Sequence, residues 1–206
     1  MKKKTEAKRQ AILDIAADVF REMGFARASM SEICRRVGGS RATVYNYFPS
    51  KETLFFEIIH QANEAEFRAI HQVLDHATDD ISDALRHFGE GLLSLIYSPN
   101  VMAVRRLVTS SFDNGELGRT CFELGPQRTL SEVAEFLSAA MKKGKLRPCD
   151  PHIATQHLRG ILESELIDGF IFQMSIDTRS ERIKAIVERA VSVFMAAYGS
   201  RTEGAR

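Results

Sequence analysis

Residues 29–48, SMSEICRRVGGSRATVYNYF, constrain the fold more than any other stretch, because they specify two short helices and the turn between them. Met30, Ile33, Cys34 and Val37 recur at i, i+3, i+4 and i+7, the period that lays one apolar stripe along a helix. Gly38 ends that helix, Ser29 and Glu32 read as a capping box at its start, and Ser40 reads as the N-cap of a second helix beginning at Arg41. Val44 and Phe48 stand four apart and must share the inward face of this second helix. Ala42, Thr43, Tyr45 and Asn46 are left on the other side, with Arg41 at the helix start. Such a helix offers guanidinium, hydroxyl, amide and methyl groups, the set that pairs with base edges and the thymine methyl in the major groove. The spacing predicts a helix-turn-helix in which Arg41, Ala42, Thr43 and Asn46 read bases. Ser29, Tyr45, Tyr47 and Lys51 are expected on the backbone, and Ser40 joins the DNA-facing set.

A three-helix unit needs one more apolar face, and Ile12, Ile15, Ala16, Val19, Phe20 and Met23 supply it in a helix stopped by Gly24. Net charge is only +1, but it is unevenly placed. Residues 1–52 carry 11 Lys and Arg against 6 Asp and Glu, a net of +5, whereas residues 53–206 carry 17 against 21, a net of −4. The positive field therefore lies on the DNA-reading part, where neutralised phosphates release counterions and add sequence-independent affinity. Lys2, Lys3, Lys4, Lys8 and Arg9 read either as an arm along the minor groove or phosphates, or as a solvated terminus.

The rest of the chain shows helical periodicity and no strand-like alternation, repeat or low-complexity tract. Pro49 and Ser50 end the reading helix and cap a long one from Lys51, with Leu54, Phe55, Ile58, Ile59 and Ala62 on its apolar stripe. Further helices are expected near 80–97, 101–112, 115–143 with a break at Gly125-Pro126, 151–173 and 178–198. The chain reads as all-α, with a domain at 1–52 and a larger one at 53–206 of about nine helices.

The string GFARASMSEICRRVGGSRATVYNYFPSKETLF resembles the N-terminal signature of the TetR family of bacterial transcriptional regulators, across about the first quarter of the chain. Its carriers are the Gly-Phe that closes the first helix, the Ser cap of the second, and a Tyr-x-x-Phe, Ser-Lys-Glu run. Gly39 departs from the family, many of whose members carry a branched apolar residue there. From Met102 to Leu166, including FELGPQRTLSEVAEFLSAAMKKGKLRPCDP, the chain is similar to the C-terminal domain of the AefR-like subgroup. The resemblance implies a homodimer on a pseudo-palindromic operator in double-stranded DNA, acting as a repressor that a small-molecule effector releases. It also implies a four-helix bundle between subunits. The alternative is a redox-responsive or ligand-independent DNA-binding regulator.

Leu158 and Leu162, followed by the stripe Ile183, Ile186, Val187, Ala190, Val191 and Phe194, suit a dimer interface; the competing assignment is burial within one chain. Phe67, Phe88, Phe112, Phe122, Phe136, Met141, Phe170 and Met174, with Phe172, exceed what a simple seam needs and would line a pocket for an apolar or aromatic ligand, if they are not ordinary core.

Cys34, Cys121 and Cys149 are odd in number and far apart, and the six histidines lack the i, i+4 spacing of a helical metal site, so no metal or cofactor is expected. No phosphate loop, nucleophile elbow or acid pair points to an enzyme. A coating role on DNA would need basic charge over most of the chain, against the net −4 of residues 53–206. No apolar run reaches the roughly 18 residues of a membrane span, and no secretory core follows the basic start, so a cytoplasmic protein is expected.

Overall fold

A computed structural model describes residues 5–38, 40–74, 80–110 and 115–200. Gly39, Phe112 and Lys2–Lys4 lie outside the described residues. Among those described the protein is all-α, with an isolated antiparallel bridge between Leu146 and Gly199. Twelve helices are seen among the described residues, nine of them after the first three.

The chain divides into two compact units, residues 1–63 with 100–124, and residues 64–99 with 125–206. The first contains α1 (Glu6–Met23), α2 (Met30–Val37), α3 (Arg41–Tyr47) and α4 (Lys51–Ala62). Thr5, Ser29, Ser40 and Ser50 cap these four helices, each accepting from a backbone N–H three residues on. Gly24 and Gly38 leave α1 and α2 at φ 73° and 70°, a region closed to most side chains. The capping box is only half formed: Ser29 accepts from Glu32 N–H, but the Glu32 carboxylate turns to Arg35 and Arg36. Three charge-assisted bonds outweigh one bond to an exposed backbone amide. Ile12, Leu13, Ala16, Val19, Ile33, Cys34, Val44, Phe48 and Leu54 form the core of this unit. Leu54 belongs to α4, so the division at 52/53 falls inside the first turn of a helix packed on that core.

The expected long helix from Lys51 stops at Asn63, whose side-chain amide donates to Ile59 O at 2.7 Å and pulls the chain out of helical register before α5 (Glu64–Gln72). In the first unit α7 (Pro99–Ser110) and α8 (Glu116–Leu124) add Val104, Leu117 and Cys121 around Phe56 of α4. His60 Nε2 lies 2.8 Å from Leu124 O and fastens α4 to the end of α8.

The second unit is α5, α6 (Ile81–Ile96), α9 (Pro126–Lys142), α10 (Pro151–Glu163), α11 (Ile167–Ile171) and α12 (Ser180–Tyr198). The single helix expected over 151–173 is two: the Ser164 hydroxyl donates to Ile161 O, and Leu166 N–H donates to Glu163 O, a tighter turn that ends α10. At Gly89 on α6 an added Cβ would stand 2.9 Å from both Leu162 of α10 and Val187 of α12, so three helices converge where one side chain is missing.

That convergence corrects the expected dimer face. Leu158, Leu162, Ile183, Ile186, Val187, Ala190, Val191 and Phe194 are all buried inside one chain. Helical periodicity reports that a face is covered, and here the cover is the chain's own α6, α9 and α10 rather than a partner.

Candidate nucleic-acid interface and effector domain

The reading helix presents its residues as the spacing requires. Val44 and Phe48 are buried, while Arg41, Ala42, Tyr45 and Asn46 are exposed and Thr43 is half-buried. Arg41 has no ion-pair partner among the described residues, so its guanidinium is available at the N-terminal end of α3. Ser40 accepts from Thr43 N–H, and its hydroxyl stands 3.0 Å from that of Thr43, fixing the first turn. Ser29, Ser40, Arg41, Ala42, Tyr45 and Asn46 are thus exposed and Thr43 half-buried, on or at the start of two capped helices.

Two residues expected on the DNA backbone also work inside the unit. Lys51 Nζ donates to Phe25 O at 3.1 Å and Ala28 O at 3.2 Å, and stands 4.5 Å from the centre of the Phe25 ring, which pins the turn between α1 and α2. The Tyr47 hydroxyl accepts from Thr5 N–H at 2.9 Å, tying the end of α3 to the start of α1. Arg9 is likewise no arm residue. It lies within α1, pairs with Glu57 at 2.7 Å and covers the Phe48 ring. Arg36 bridges Glu22 of α1 and Glu32 of α2 at 2.7 and 2.8 Å. These ties hold α3 in a fixed pose, which base reading demands and which charge counting along the sequence does not reveal.

The residues expected to line a pocket differ in burial. Phe88 and Phe136 are fully buried, Phe170 is buried, and Phe67 and Met141 are half-buried. Phe122 is 43 % exposed and belongs to the first unit, and Met174 and Phe172 are 54 % and 69 % exposed beside Gln173, whose φ is 54°. A mixed group is centred on His71, with the Phe67 and Phe88 rings beside it, Glu132 at its Nδ1 and Arg128 on the same carboxylate. Residue type alone gave His71 no signal; Arg128 and Glu132 were readable only as an i, i+4 pair.

Among the described residues no group of His, Cys, Asp and Glu could hold a metal ion, and no helix is long and apolar enough to cross a membrane. Cys34 and Cys121 are buried, and Cys149 is exposed.

Comparison with known proteins decides the family. A family model described as bacterial regulatory proteins, tetR family, matches residues 12–58, and one described as the AefR-like transcriptional repressor, C-terminal domain, matches residues 83–200. The chain belongs to the TetR family of bacterial transcriptional regulators. It is 31 % identical over 156 residues to the HTH-type transcriptional regulator UidR of Escherichia coli K12, covering 72 % of this chain and 74 % of that protein. A TetR-family regulator from Mesorhizobium loti superposes with a TM-score of 0.76 at 26 % identity, over 95 % of this chain and all of that one. The flavonoid-responsive regulator FrrA superposes at 0.71 with 29 % identity, over 96 % and 100 %. TetR-family regulators bind operator DNA, dimerise and respond to small molecules, and this member is a DNA-binding transcriptional regulator rather than an enzyme.

Proposed function

We propose that this TetR-family protein is a cytoplasmic repressor that grips a pseudo-palindromic operator as a homodimer and leaves it when a small apolar or aromatic effector binds the second unit. The observation that carries the DNA part is the exposure of Arg41, Ala42, Tyr45 and Asn46, with Thr43 at the edge, on a helix locked from beneath by Val44 and Phe48. Arg41, Thr43 and Asn46 read base edges, Ala42 meets a thymine methyl, and Ser29, Ser40, Tyr45, Tyr47 and Lys51 face phosphates. Repression accords with the AefR-like repressor domain that residues 83–200 match, and an aromatic effector accords with FrrA being a flavonoid-responsive regulator.

The homodimer uses the outer sides of α10 and α12, not their buried stripes. There a groove of about 500 Å³ is lined by Arg147, Gln156, His157, Gly160, Ile161, Ala197 and Tyr198. On the same two helices Ile153 and Val193 are 52 % and 55 % exposed, apolar surface suited to the same face of a second copy related by two-fold symmetry.

Selection of binding sites from random duplex DNA tests the whole reading. The enriched sequences should form an inverted repeat with half-sites about one helical turn or more apart. Enrichment of a lone half-site, or of nothing, would overturn the dimeric operator reading.

A further inference from the structure

His71, in the last turn of α5, has a side chain only 7 % exposed, and among the described residues neither ring nitrogen makes an aligned hydrogen bond. Buried polar atoms are nearly always paired, because an unpaired one forfeits its hydration for nothing. The imidazole meets Phe67, edge-on at 4.2 Å between ring centres, and Phe88, close to parallel at 6.3 Å. Glu132 Oε2 comes within 2.5 Å of Nδ1, an electrostatic approach that lies off the line of a hydrogen bond. Arg128 Nε holds the same carboxylate at 2.7 Å, and its guanidinium covers the Phe67 ring at 5.5 Å. All five side chains belong to the second compact unit.

The chemistry of the ring narrows what it can meet. Burial pushes the imidazole below its usual range; Glu132 opposes that and Arg128 adds to it, and the net direction favours the neutral ring. A carboxylate beside Nδ1 favours the tautomer with the proton there. Nε2, on the far side of the ring from that carboxylate, is then an acceptor with no donor among the described residues. An anionic group would be repelled by Glu132, whose countercharge, Arg128, is already engaged. A neutral hydroxyl satisfies Nε2 at no electrostatic cost, and a flat ring carrying it would lie against Phe67 and Phe88.

We propose that His71 is the polar anchor of the effector site, its Nε2 accepting a hydrogen bond from a phenolic hydroxyl on an aromatic ligand whose ring packs on Phe67 and Phe88. This rests on the aromatic-effector reading and names the group that gives it specificity. A hydroxylated ligand leaves every polar atom paired, whereas the same skeleton without the hydroxyl leaves Nε2 orphaned, which is why polar sites reject such analogues.

Calorimetric titration of the full chain with 4′-hydroxyflavone and with unsubstituted flavone tests it. Wild type should bind the hydroxylated probe about ten-fold tighter, the return expected from one buried hydrogen bond. His71→Leu should erase that preference and leave flavone affinity unchanged. His71→Gln places its amide near the position of Nε2 and should keep most of the preference, while His71→Asn, whose amide reaches only the position of Nδ1, should lose it. The Gln and Asn pair decides the matter if the Leu variant fails to fold. Equal affinity of the two probes for wild type, or an undiminished preference in His71→Leu or His71→Asn, overturns the anchor and leaves the aromatic-effector reading standing. Failure of wild type to bind either probe overturns both.

Discussion

Arg41 and Lys51 are both cations of the DNA-binding unit, yet their surroundings give them different work. Arg41 is exposed with no ion-pair partner among the described residues, so its guanidinium is free to pair with a base edge. Arg41→Ala should cost about 1 to 3 kcal/mol on the selected operator and much less on random DNA. Lys51 spends two of its three N–H donors on Phe25 O and Ala28 O, so Lys51→Ala should lower protein stability by on the order of 1 kcal/mol, as well as weakening both DNAs alike. Melting curves alongside titrations on the two DNAs separate the cases; an Arg41 variant that loses equally on both would refute base reading there. Glu32 shows a third kind of role. Bonds from Arg35 first, then from Arg36, draw its carboxyl down to about 2 from a usual 4.5. A depressed folded-state value means that the stabilisation is complete above about pH 4.5 and drains away as pH falls towards about 2. Glu32→Gln should therefore melt lower than wild type at pH 6 and converge with it near pH 2. Parallel curves across that range would show that the carboxylate contributes nothing beyond its shape.

Helices whose boundaries are set by their own residues were legible in the sequence. Ser29, Ser40 and Ser50 satisfy their backbone donors locally, and Gly24 and Gly38 supply the positive φ that ends a helix, so the three-helix unit could be traced before any tertiary contact was known. Breaks made by side chains folding back on the helix were not legible. Asn63 reaching Ile59 O, and Ser164 reaching Ile161 O, are rotamer choices that the alternative of facing solvent leaves open. Nor does a stripe say what covers it. Ile183 to Phe194 recur at helical spacing whether a partner or α6 lies opposite, and the small Gly89 that admits the neighbours carried no signal by itself. The correction is testable on one helix. Ala190→Arg puts a charge into the subunit core, where it should cost about 3 to 5 kcal/mol and unfold much of the protein. Val193→Arg, three residues on and 55 % exposed, should leave a folded chain that sediments as a monomer. A folded Ala190→Arg monomer, or a Val193→Arg dimer as tight as wild type, would return the interface to the inner stripe.

At the scale of the molecule, the two compact units carry different chemistry, and regulation requires an energetic coupling between them. The first unit holds the exposed residues of α3; the second holds the aromatic cluster around His71. If the effector weakens operator binding by some factor, operator must weaken effector binding by the same factor, because both describe one thermodynamic cycle. Effector release of a repressor typically requires about 1 to 3 kcal/mol of coupling, a factor of about 5 to 150. The cluster also predicts where that coupling can be cut without harming DNA recognition. His71→Leu alters no residue of the reading unit, so its operator affinity without effector should match wild type, while the effector concentration needed for release should rise about ten-fold with the hydroxylated probe. Titrating that probe into free and operator-bound protein measures both directions of the cycle. Equal affinities in the two titrations would mean that the probe has no preference between the states, and a ligand without such a preference cannot drive the protein off its operator however tightly it binds.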